Sequence, residues 1–140
     1  MGTRPTPAGS ASKVVVGCVD GRRLKGYIFN FSALRDSFRL FPEPSSAQEE
    51  GADLRLAVVK AIFFVKDFAG NRERTDSQQL REGAHGRKLE VTFRDEEKLV
   101  GTTEAYHPNK IGFFMFPADA DSNNSRIFVV NANVRTVRPL

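Results

Sequence analysis

Apolar and polar positions alternate along two stretches, residues 14–19 and 89–94. In the second, Leu89, Val91 and Phe93 alternate with Glu90, Thr92 and Arg94, the period of a strand with one buried face. In the first, Val14, Val16 and Cys18 alternate with Val15, Gly17 and Val19. Each stretch runs into a turn signal, the hairpin dipeptide Asp20-Gly21 or the charged Asp95-Glu96-Glu97. Each then resumes in a strand carrying Leu24-x-Gly26 or Leu99-x-Gly101, where the glycine predicts a bulge or tight bend. Third strands are expected over 38–41 and 112–116, and fourth strands over 54–58 and 126–130. Short turns at 59–61 and 130–132 lead to last strands in "IFFV" and "VRTV".

The parallel between the halves is an internal repeat. At an offset of 75 residues Lys13, Val16, Asp20, Leu24 and Gly26 meet Lys88, Val91, Asp95, Leu99 and Gly101. "SFRLFP" meets "GFFMFP" in the same register. Beyond the prolines, "RLAVVKA" matches "RIFVVNA" at an offset of 71, which implies a loop four residues shorter in the second copy. The reading is all-β: two tandem small, strongly curved five-stranded barrels, either separate or packed as one unit. The boundaries are a flexible tail over 1–12, a first repeat over 13–68, a polar linker over 69–87 and a second repeat over 88–140. A unit of this size is marginal alone, so contact between the copies is expected.

The segments "DGRRLKGYIFNF", "SFRLFP" and "RLAVVKAIFFV", with their second-half counterparts, resemble small Sm-like or SH3-like barrels in tandem. The "KAIFFVKDFAGN" and "GFFMFPADADSNNSRIFVV" segments resemble those of bacterial proteins of unassigned function. A more distant resemblance is to PilZ-type receptors, through Asn30-x-Ser32; it implies a cyclic dinucleotide as ligand. The position where that family has glycine is Arg35, and Arg22-Arg23 departs from its arginine spacing.

Composition narrows the chemistry. Of 140 residues 40% are hydrophobic and 27% charged, as in ordinary folded domains, and twelve Phe with no Trp favour strands. No apolar run is long enough for a membrane span, and residues 1–12 lack the apolar core of a secretory signal, so no membrane association and a cytoplasmic location are the expectation. The net charge of +4 is spread thinly: residues 13–65 carry eight basic and six acidic groups, and residues 88–140 carry seven of each. It permits an anionic partner without specifying one.

Asp119-x-Asp121-x-Asn123 opens with the spacing of a calcium loop, but position six is Asn124 and position twelve Val130. Turn building is the reading for that loop, and no metal site or cofactor is expected. Cys18 is the single cysteine, and neither His85 nor His107 is spaced with it as a nucleophile–base or zinc set, so no catalytic residue and no enzyme is expected. Two recognition surfaces stand out. Arg22, Arg23 and Lys25, with Tyr27 and Phe29 alternating along the next strand, form a candidate anion or nucleic-acid surface. Ile62, Phe63, Phe64 and Phe68 form a candidate interaction surface, toward the other copy, a further copy of the chain, or another protein. The leading expectation is a noncatalytic interaction or regulatory adaptor; the alternatives are RNA or other nucleic-acid binding, and cyclic-dinucleotide binding.

Overall fold

The computed structural model describes residues 10–69, 86–119 and 121–140. Ten strands follow in order: β1 (Ala11–Cys18), β2 (Arg23–Phe29), β3 (Ser37–Leu40), β4 (Ala52–Arg55), β5 (Val59–Val65), β6 (Arg87–Phe93), β7 (Lys98–Thr103), β8 (Gly112–Pro117), β9 (Asn124–Val130) and β10 (Val134–Pro139). Short 3₁₀ turns sit at Gln48–Glu50, Leu56–Val58 and Asn131–Asn133. Among these residues no helix is long and apolar enough to cross a membrane.

Among the described residues every strand pair is antiparallel, and eight strands form one sheet in the order β10-β6-β7-β8-β9-β5-β1-β2; β3 and β4 form a separate two-stranded sheet. The all-β expectation holds, and the two five-stranded Sm-like or SH3-like barrels do not. Among the described residues the sheet is open, and neither a closed barrel nor a PilZ fold is formed. The physical reason lies in β5. It pairs with β1 on one side and with β9 on the other, so backbone hydrogen bonds run without a break from one repeat into the next. In the first repeat, β2 meets the β3 side only through the single bridge Tyr27–Phe41, which leaves β3 and β4 outside the large sheet.

The repeat itself is more regular than the sequence suggests. Val14↔Phe64 recurs as Leu89↔Pro139, Lys13↔Tyr27 as Lys88↔Thr102, and Tyr27↔Phe41 as Thr102↔Phe116, each at an offset of 75. Phe38↔Leu54 recurs as Phe113↔Val129 at the same offset. The expected change to 71 is therefore incorrect. Arg55 is the counterpart of Val130, not of Arg126, and neither copy has a shortened loop. The "RLAVV" and "RIFVV" strings match in letters but not in place: the first spans a strand end and the 3₁₀ turn at Leu56–Val58, and the second is continuous strand.

Both faces of the central strands are buried, each in a core shared between the repeats. One core gathers Val14, Val16, Ile28, Ile62 and Phe64 with Phe128 and Val130 of the second repeat. The other gathers Leu89, Val91, Phe93, Phe113 and Met115 with Ala61 of the first. Phe31 closes the first core, its ring 4.9 Å from Phe128 and 5.9 Å from both Phe64 and Phe114. Burying an aromatic or aliphatic side chain of this size is worth roughly 1.5–3 kcal/mol. Neither repeat keeps its whole core without the other.

Candidate binding groove

Directly opposed residues of antiparallel strands share a face of the sheet. One such row runs Lys25, Val15, Phe63, Ile127 across β2, β1, β5 and β9. It begins at an exposed cation, passes half-buried apolar groups and ends in the second core. The neighbouring row begins at Arg23 and passes Gly17 and Ala61 to Val129. Small residues at Gly17 and Ala61 keep this face low, and a Cβ on Gly17 would already touch the Phe63 ring at 3.4 Å. The result is a groove of about 460 Å³, lined by Arg23, Lys25, Val15, Phe63, Val65 and Phe68 of the first repeat and by Glu97, Leu99, Asn123 and Asn124 of the second.

Two contacts fix its shape. Asn123 holds the backbone of Asp67 twice: its Oδ1 accepts from Asp67 N at 3.0 Å and its Nδ2 donates to Asp67 O at 2.7 Å. That clamp sets Phe68 against Tyr27, with ring centroids 5.4 Å apart and planes perpendicular. On the other side, Lys60 Nζ donates to Glu97 Oε2 at 2.6 Å and to Asp95 Oδ2 at 2.9 Å. The ammonium also lies 5.3 Å from the centre of the Phe93 ring. Burial alone would lower the Lys60 pKa, but the hydrogen bonds and charges of Glu97 and Asp95 outweigh it and raise the value above that of an ordinary lysine. The Lys60 hydrogen bond, with a second from the backbone N–H of Glu97, holds the Asp95 carboxyl below the usual carboxylate range. Glu97 thus enters the groove already held by Lys60.

The sequence-derived surfaces are partly united here. Arg23, Lys25, Tyr27, Phe63 and Phe68 come together at one place. Among the described residues neither Arg23 nor Lys25 has an ion-pair partner. Arg22 turns back onto Asp20, Nε to Oδ2 at 2.7 Å. Phe29 packs on Phe41 at 5.3 Å and lines a different cavity, with Asn30, Arg35 and Arg39. Ile62 and Phe64 are core residues, 0% and 4% exposed. Val65, Leu99, Asn123 and Asn124 carry no chemical motif; only the strand register brings them to the groove.

The calcium-like spacing resolves into a self-bonded turn. Asp119 Oδ1 accepts from Asp121 N and its carbonyl accepts from Ser122 N, while Ser122 Oγ accepts from Asn124 N. Among the described residues no group of three or more His, Cys, Asp or Glu side chains is placed to hold a metal ion. Cys18 is buried, and desolvation raises its thiol pKa. His107 Nδ1 accepts from Asn109 N within its own turn; His85 and most of the 69–87 linker lie outside the described residues.

A family model, that of the family of unknown function DUF6982, matches residues 10–140. The chain belongs to that family. The match takes in both repeats and the segment between them, so the family unit is the whole two-repeat sheet rather than one repeat. No curated protein and no solved structure matches the chain.

Proposed function

We propose that this member of the DUF6982 family is a noncatalytic recognition module that takes an extended acidic segment of a partner protein in the groove. The observation that carries this reading is the row Lys25–Val15–Phe63, with Arg23 beside it and Phe68 at its end. Val15, Phe63, Val65 and Leu99 offer apolar surface for side chains, and the two cations favour carboxylates. Exposed charges set the rate and specificity of such an encounter more than its affinity, and the apolar residues supply most of the latter. The amides of Asn123 and Asn124 stand on the opposite side, although Asn123 is already engaged with Asp67.

Single-stranded nucleic acid is the second reading, favoured by the Tyr27–Phe68 ring pair beside Lys25. Glu97 argues against it, because a phosphate backbone carries a charge at every nucleotide and would bring one to that carboxylate, whereas a peptide can set its carboxylates at Arg23 and Lys25 and leave uncharged side chains opposite Glu97. Amide NMR titrations of the isotope-labelled chain with an Asp/Glu-rich peptide containing aromatic residues, and separately with a single-stranded oligonucleotide, test the choice. The peptide should shift Arg23, Lys25, Phe63, Phe68 and Leu99, and the double variant Arg23→Ala, Lys25→Ala should lose most of the response. Shifts with the oligonucleotide alone would move the assignment to nucleic acid, and silence with both would remove it.

A further inference from the structure

Inside the chain, the repeats join where the outer edge of β5 meets the outer edge of β9. At the offset of 75, β5 corresponds to β10, and the last four residues of β9 correspond to β4. The chain therefore carries a second set of edges built like the first. Among the described residues these two do not meet: β10 ends the eight-stranded sheet, and β4 pairs only with β3.

We propose that β10 of one chain pairs with β4 of a second copy, head to tail, in the register that β5 and β9 use. Ala61↔Val129, Ile62↔Phe128 and Phe63↔Ile127 then have the counterparts Thr136↔Leu54, Val137↔Asp53 and Arg138↔Ala52 between chains.

The backbone is set for this. Hydrogen-bonded and non-bonded pairs alternate along an antiparallel ladder. Leu140 N donates to Lys88 O, so Arg138 and Thr136 also turn their N–H and C=O toward β6, and Val137 turns outward. In the internal seam Lys66 N donates to Asn123 O, so Ile62, four residues earlier, turns outward to β9. Ile62 is the counterpart of Val137, so the two edges present the same parity. On β4 the outward residue by the same count is Asp53, whose side chain is 78% exposed. Its side chain would oppose Val137 and already pairs with Arg39, while Arg138, opposite Ala52, stands on the other face and pairs with Glu90, so the backbone rather than a new ion pair carries the contact.

Open sheet edges are usually guarded by charge and proline. β10 has Arg135, Arg138 and Pro139, a set that guards it against arbitrary strands and leaves the matched backbone register as the source of selectivity. The contact is weaker than the internal seam, because Val137, Arg138 and Pro139 stand where Ile62, Phe63 and Phe64 stand in β5. It is also heterologous, so it closes into a ring or continues as a filament. It does not depend on what the groove binds.

The decisive experiment mixes two single-cysteine variants, Arg138→Cys and Ala52→Cys, and oxidises them. Both positions are exposed, and as a non-hydrogen-bonded pair their side chains would approach closely. The expected product is a mixed dimer that exceeds either homodimer, and a chain carrying both changes should give higher multiples. Sedimentation of the unmodified chain should show concentration-dependent association, reduced by Asp53→Lys, which sets a cation at an exposed edge position facing a strand that carries Arg135 and Arg138. An unmodified chain that stays monomeric at every concentration overturns the proposal. So does a mixed-disulfide yield no greater than that from pairing Arg138→Cys with Ser45→Cys, a cysteine placed away from β4.

Discussion

Lys60 of β5 and Glu97 of the β6–β7 turn are joined at 2.6 Å, a side-chain ion pair between the two repeats. Asp95 completes it at 2.9 Å. Lys60 has a side chain only 10% exposed, while the carboxylates are 37% and 46% exposed. Removing the cation leaves two neighbouring anions that water can still reach. Lys60→Met should therefore cost about 1–2 kcal/mol, less than the loss of one partner from a fully buried pair. Urea unfolding measures it; an unchanged midpoint would mean that the pair contributes nothing net.

The same cluster sets a pH dependence. The Asp95 pKa is lowered by folding, so its share of stability is present above the ordinary carboxylate value and is lost as pH falls through the depressed one. The Lys60 pKa is raised, so its share is present below the ordinary lysine value and is lost as pH rises through the raised one. Asp95→Asn should flatten the acid limb of a stability–pH curve and make the alkaline loss shallower without abolishing it, because Asp95 is one of the two carboxylates that raise the Lys60 pKa and Glu97 remains. An acid limb identical to that of the unmodified chain would assign acid sensitivity to other groups.

Gly26 and Gly101 occupy equivalent places on β2 and β7. A Cβ on Gly26 would lie 2.7 Å from Phe41 O and 2.8 Å from Leu40 Cδ1. On Gly101 it would run closer still to the Phe116 carbonyl. Backbone cannot yield as a side-chain tip can, so the strand crossing itself must open. Gly101→Ala should destabilise by about 3 kcal/mol and Gly26→Ala by about 1–2 kcal/mol. Equal losses in denaturant titration would contradict this ranking.

These glycines also mark how far the sequence could be read. Leu24-x-Gly26 and Leu99-x-Gly101 drew notice to the right positions, but the β1–β2 and β6–β7 registers run through both without a bulge, and what the glycines admit is the close approach of the Phe41 and Phe116 carbonyls. The alternation at Leu89, Val91 and Phe93 announced a strand. What stayed hidden was the β5–β9 pairing. Ile62, Phe63 and Phe64 advertise burial on both faces but not the identity of the strand that buries them. The match of "RLAVV" to "RIFVV" drew the fourth strand out of register, because letter similarity outweighed the ladder geometry. Of the groove, Arg23, Lys25, Tyr27, Phe63 and Phe68 were visible by residue type. Asn123 was not: its role comes from the backbone of Asp67, more than fifty positions away.

That clamp gives the next prediction. Asn123→Ala removes both bonds to Asp67 and should cost about 1 kcal/mol, since neither group is deeply buried. Its larger effect should fall on the groove, as Phe68 leaves Tyr27. Nuclear Overhauser contacts between the two rings should vanish, while those among Phe31, Phe64 and Phe128 persist. Persistence of the Tyr27–Phe68 contact would show that Phe68 is held by packing alone.

The two hairpin turns allow a test in which one repeat serves as the control for the other. Gly21 has φ +92° and its counterpart Glu96 has φ +76°, both in the left-handed region. A side chain there costs roughly 1–2 kcal/mol, which the first turn avoids and the second bears. Glu96 has a compensating ion pair with Arg135, exposed on both sides and worth at most about 1 kcal/mol. Glu96→Gly should therefore stabilise the chain by roughly 0.5–1 kcal/mol. Gly21→Ala should destabilise it by about 1 kcal/mol for a purely backbone reason, because nothing lies within 4 Å of the added Cβ. Opposite signs in paired thermal melts are the expected result. A loss of stability in both variants would mean that the Glu96–Arg135 pair contributes more than the left-handed backbone costs.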